Sequence, residues 1–123
     1  MNQFITYKQM TIKEISDTID GKVICCEENL SARVEYAFAS DLMSDVLTVE
    51  KENIVLITGL ANLQTIRTSE MSEIGCIIIA RGKKTGEEMI SLAKENSMTL
   101  IECPHSMFYI SGKLYKAGIK PIY

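Results

Sequence analysis

Between residues 81 and 85 the chain reads Arg-Gly-Lys-Lys-Thr: three cationic side chains, one glycine and one hydroxyl in five positions. Such a set suits an anion. Glycine lets backbone approach a ligand closely, the cations neutralise charge and the hydroxyl adds a polar contact. The most developed form of this chemistry is the Walker loop, G-x-x-x-x-G-K-[ST]. Counting from Gly82-Lys83, the first glycine position holds Ile77 and the hydroxyl position holds Lys84, so the motif fails twice. The dinucleotide fingerprint G-x-G-x-x-G is also absent. A weaker arrangement survives, a basic loop feeding a helix whose free N–H groups and positive dipole end attract anions. The plain alternative is a solvated basic turn in which Thr85 only caps.

Other chemistry-bearing residues are sparse. His105, the single histidine, follows Cys103-Pro104 and precedes Ser106. General acid–base work needs a poised partner for it, and a Cys/His pair two residues apart is not a catalytic dyad. Asp41 and Asp45 would share a helix face, but two carboxylates are too few for a hard cation, and Ser40 and Asp41 suit a helix N-terminus. The cysteines are Cys25, Cys26, Cys76 and Cys103, without a CxxC pair. They read as buried thiols, with adjacent Cys25 and Cys26 on opposite faces of a strand. Met43, Met71, Met89, Met98 and Met107 read as core fillers. No catalytic residue, metal or cofactor is assigned.

The elements that must position these residues follow from periodicity and caps. Thr11 and Glu14 form a capping box for a helix to about Ile19, with Gly21 at its end. Strands are expected at 22–26 and 34–39, and a short helix or turn at 40–49. A regular alternation then begins: strand 53–58, helix 61–74 ended by Gly75, strand 76–80, helix to about Asn96, strand 99–103, helix 106–117 ended by Gly118. Thr85 to Glu88 reads as a second capping box. Strands alternating with helices of this length indicate βαβ units and parallel pairing. Runs such as NIVLIT and CIIIA are apolar on both faces, as strands covered on both sides are. Ligands of such sheets sit beyond the carboxyl ends of the strands. Three ends can be named: Thr58-Gly59, Arg81 to Thr85, and Cys103 to Ser106.

The chain has 123 residues, 46% hydrophobic and 24% charged, with net charge −3. One domain with a real core is expected. The balance argues against non-specific nucleic-acid binding. No apolar run approaches a bilayer span, and MNQFITYKQM lacks a secretory pattern, so a soluble cytoplasmic protein is expected.

At this level the pattern resembles a known family. The stretch "GCIIIARGKKTGEEMISLAKENSMTLIECPHSMFYISGKLYKAGI" is similar to the core of the DRTGG domain. That core has an apolar strand, a TGG-like turn, a helix ending in "AK", a strand, and "TP" or "CP" before the last helix. "FASDLMSDVL" and "TIKEISDTIDGKVIC" are similar to its upstream segments. Ala80-Arg81-Gly82-Lys83 stands where a TGG-like turn is usual, keeping one glycine and adding charge. The resemblance implies a three-layer α/β/α sandwich with a mainly parallel central sheet, similar to the N-terminal domain of HPr kinase/phosphorylase. It assigns residues 10–123 to one such domain, with 1–9 as a lead-in. The kinase chemistry belongs to a separate P-loop domain and is not carried over. DRTGG domains beside CBS domains in regulated pyrophosphatases look like regulatory or assembly modules, often at dimer contacts.

The expected function is a non-catalytic, ligand-sensing regulatory domain, probed by a small anionic metabolite or nucleotide. Its candidate contacts are Thr58, Gly59, Arg81, Gly82, Lys83, Lys84, Thr85, His105 and Ser106. A homodimer is expected, with a partner enzyme as a further possibility. The alternative is an assembly module without a small-molecule ligand, to which the apolar "AGIKPIY" would contribute. A small enzyme using Cys103, His105 or the aspartates ranks last, because nothing in the sequence orients a base.

Overall fold

Strands with branched apolar side chains on both faces require helices on both faces. The structure, a computed structural model describing residues 6–123, provides them. The first half runs β1 (Met10–Thr11), α1 (Ile12–Thr18), β2 (Lys22–Cys25), β3 (Arg33–Val34), β4 (Tyr36–Ala39) and α2 (Met43–Val46). The second runs β5 (Ile54–Thr58), α3 (Leu63–Met71), β6 (Cys76–Ile79), α4 (Glu87–Glu95), β7 (Thr99–Glu102), α5 (Met107–Ala117) and β8 (Lys120–Pro121). The expected lead-in of residues 1–9 lies partly outside the described residues.

A six-stranded sheet has the order β2-β7-β6-β5-β4-β8. Neighbours from β7 to β8 are parallel, and β2 joins β7 antiparallel. The period of two divides each central strand between two cores. Val55, Ile57, Ile78 and Ile101 pack with Ile12, Ile15, Ile110 and Leu114 of α1 and α5. Leu56, Ile77, Ile79 and Leu100 pack with Val46, Ile66, Met89 and Ala93 of α2, α3 and α4. The result is the expected three-layer sandwich.

This layering fixes where a ligand can sit. The loop after β6 leads to α4 on one face, whereas the loop after β7 leads to α5 on the other. The two loops part at the carboxyl ends of β6 and β7, which makes a topological switch point. Residues 81–85 and 103–106 border that crevice.

Several local expectations need correction. The capping box at Thr11 and Glu14 is present, and Gly118 ends α5 in a left-handed conformation. Helix α1, however, turns off at Asp20, whose φ is 57°, and the Gly21 N–H reaches the Ser16 carbonyl. Gly21 is required by space instead, since a Cβ there would lie 2.6 Å from Ile101. Helix α3 likewise stops at Glu73, φ 58°, with Ile74 bonded back to Ser69, so Gly75 plays no part. The strand expected over 34–39 breaks at Glu35 into β3 and β4. Cys26 lies past β2 with φ 62°, which turns it into the same core as Cys25 rather than the opposite face. Met71 is 73% exposed and fills no core, while Met89 and Met98 are buried. Leu42, not Ser40 or Asp41, occupies the N-cap of α2.

Candidate anion-binding site

Strand β5 delivers Thr58 and Gly59 to the carboxyl edge of the sheet, both buried. They meet Asp41, which arrives from the loop after β4. The Thr58 hydroxyl donates to Asp41 Oδ1 at 2.9 Å and the Gly59 N–H donates to the same oxygen at 2.6 Å. The Gly59 bond, then that of Thr58 and the nearby charges of Arg81 and Lys83, hold the Asp41 carboxyl below its ordinary pKa although burial opposes them. Asp41 therefore locks a strand end. It shares no face with Asp45, because α2 begins only at Met43. Among the described residues no cluster of three or more His, Cys, Asp or Glu could hold a metal ion.

Beyond β6 the chain makes a tight turn, closed by the Lys83 N–H to the Ala80 carbonyl at 3.4 Å. Both central residues are left-handed, Arg81 with φ 65° and Gly82 with φ 71°. Glycine takes this conformation freely, but arginine pays for its Cβ. The turn is held by β7's exit: the Arg81 N–H donates to the His105 carbonyl at 2.7 Å and the Gly82 N–H to Cys103 at 2.9 Å. The constraint sends the Arg81 side chain back across the sheet edge. A Cβ on Gly59 would come within 2.7 Å of the guanidinium. Glycine at 59 thus gives Arg81 its seat.

Thr85 does not cap α4. Gly86 is the N-cap and supplies no side-chain bond, while Glu87 and Glu88 occupy the first turn. The expected capping box fails because Thr85 is engaged elsewhere. Its N–H and hydroxyl both donate to Glu102 Oε2 at 2.8 Å, and Lys84 Nζ lies 3.5 Å from Oε1. Burial pushes the Glu102 carboxyl up, but these donors outweigh it and leave its pKa lowered. Glu102, at the end of an apolar strand, escaped the sequence reading. Its one signal was a lone carboxylate closing the run TLIE.

The β7 exit places His105 and Ser106 apart in role. Ser106 is the N-cap of α5 and accepts the Tyr109 N–H at 3.1 Å. His105 stacks on Tyr109 at 4.0 Å between centroids, with Nε2 3.1 Å from Asp20. Cys103 is fully buried, its thiol is raised by burial, and it bonds the Ile19 carbonyl. The structure thus brings Thr58, Gly59 and Arg81 together around Asp41. It gathers Lys84 and Thr85 on Glu102, ties the turn to His105 by backbone, and leaves Lys83 exposed without an ion pair among the described residues. The arrangement offers fixed donors and charge to an anion; no nucleophile with a base is assembled.

Comparison with known proteins agrees with the fold. No curated protein matches the chain in sequence. Among solved structures, the chain is similar to the CBS and DRTGG domains of the regulatory region of Clostridium perfringens pyrophosphatase, a structure complexed with its activator, diadenosine tetraphosphate. The two are 20% identical with a TM-score of 0.70, over 89% of this chain and 47% of that one. This chain therefore spans about half of that structure's length, and the likeness is one of fold. The model of the DRTGG domain matches residues 14–117, nearly the whole of the chain, which belongs to the DRTGG domain family.

Proposed function

We propose that this DRTGG domain is a non-catalytic regulatory module that binds a small anionic metabolite or nucleotide at the carboxyl ends of β5, β6 and β7. The observation that carries the reading is Arg81. A side chain is held at a left-handed turn position and laid over a glycine, beside the free ammonium of Lys83. Strain of this kind is characteristic of ligand-binding positions. The Thr85 N–H and hydroxyl already hold one carboxylate, that of Glu102, so the loop's donors are arranged for an anion. The nucleotide activator of the pyrophosphatase regulatory region supports the ligand class by analogy of fold. The absence of chemistry is supported by thiols that burial keeps protonated, Cys76 being pushed up to about 12. The setting proposed is the cytoplasm, where such thiols stay reduced.

A thermal-shift screen against nucleotides, phosphates and common metabolites, at low and moderate salt, tests this reading. A saturable rise in melting temperature that salt weakens is expected. Lys83→Glu/Lys84→Glu should remove the shift while the unliganded melting temperature changes little, since both side chains are exposed. Indifference to every anion would sink it. The second reading, homodimeric assembly, is favoured by Phe108 and Tyr123, which are 89% and 84% exposed.

A further inference from the structure

Helix α5 presents a projecting aromatic residue and an unfilled apolar hole on one face. Phe108 is 89% exposed. Ser111, Gly112 and Tyr115 follow it at the spacing of a single helix face. Ser111 and Tyr115 border a cavity of about 340 Å³ whose far wall includes Phe38 and Tyr123 at the β4–β8 edge. An apolar cavity of about 150 Å³ is enough to hold benzene. Knob and hole lie about 10 Å apart along the helix, given its rise per residue.

Gly112 lies between them, and a Cβ there would meet nothing within 4 Å among the described residues. Glycine is a poor choice for an exposed helix interior. Neither a turn nor a close neighbour within the chain calls for it. A second backbone passing close to the helix would.

We propose that α5 is the contact face of an isologous dimer, in which two copies of this chain cross antiparallel at Gly112 and each Phe108 enters the cavity beside its partner's Tyr115. The proposal rests on the homodimeric reading and names its surface. A two-fold axis sets each residue against one equidistant from the axis. With the axis at Gly112, Phe108 falls four residues before it and Tyr115 three residues after. One helix face then supplies both halves of a self-complementary contact. Lys113 and Lys116 flank the stripe, so aromatic burial rather than charge must drive the association.

The test is sedimentation velocity on the full chain over a wide concentration range. Wild type is expected to dimerise, and Phe108→Ala to weaken the dimer at least about tenfold, as loss of a central aromatic anchor does. Gly112→Leu separates folding from contact: it should raise the monomer's melting temperature, because leucine is the better helix former, while abolishing the dimer. Gly112→Cys should oxidise to a covalent dimer, the native cysteines being buried. A monomer at every concentration would overturn both this proposal and the assembly reading. A dimer indifferent to Phe108→Ala and Gly112→Leu would overturn this surface alone. Neither result touches the ligand-sensing reading, which the anion screen decides.

Discussion

Arg81 and Glu102 are the two residues in which stability and binding are most directly opposed. The left-handed conformation of Arg81 costs an L-residue roughly 1–2 kcal/mol, and glycine's own entropy returns about 0.5–1 kcal/mol of any relief. Arg81→Gly should therefore leave stability unchanged or raise it by up to about 1 kcal/mol in urea melts. Anion-induced stabilisation should fall in the same variant. A clear loss of stability would mean that the guanidinium over Gly59 serves the fold instead. Glu102→Gln removes charge-assisted bonds to Thr85 and should cost about 1–2 kcal/mol at neutral pH. The folded pKa of Glu102 is lowered, so its contribution is present above the ordinary carboxylate range and is lost as pH falls through the folded value. The gap between wild type and Glu102→Gln should be full at pH 7 and shrink on acidification below about pH 5. A gap independent of pH would show that the charge is immaterial.

At the scale of elements, two threonines with nearly the same local sequence part company. Thr11 caps α1 in a reciprocal box, so Thr11→Ala should lower stability by about 1 kcal/mol, and increased amide exchange should appear in the first turn of α1. Thr85→Ala should act through Glu102 and leave α4 intact, because Gly86 is the cap. The sequence signature is the same in both places, T-x-x-E. What differs is a carboxylate from another strand, and no local pattern reports that. The same division holds across the fold. Parallel pairing, the helix alternation and the covered strands were legible, because apolar period and length are local. Stops at Asp20 and Glu73 were not, since residues other than glycine took the left-handed position. Of the candidate site, the basic loop and strand ends could be read from composition. Asp41's bond to Gly59, Arg81's path across the sheet and the Glu102 acceptor depend on which strands become neighbours.

Across the whole molecule, the reduced cysteines give a readout of integrity. All four are buried, and burial raises Cys26 to about 11 and Cys76 to about 12. Only a thiolate reacts readily. Ellman's reagent should thus find almost no thiol in the native chain and all four in denaturant; rapid native labelling would contradict the packing described. The sheet order carries a further consequence, for the timing of folding during synthesis. Strand β2 pairs with β7, Lys22 opposite Glu102, and β4 pairs with β8, Tyr36 opposite Lys120. Each early strand must wait for a partner made tens of residues later. At roughly 5–20 residues per second, several seconds pass with the apolar strand Tyr36–Ala39 uncovered on one edge. Only when Lys120 and Pro121 clear the ribosome can that edge close, so a chain stalled a few residues short would carry a nearly complete core beside an open strand, the condition in which a nascent domain most needs a chaperone.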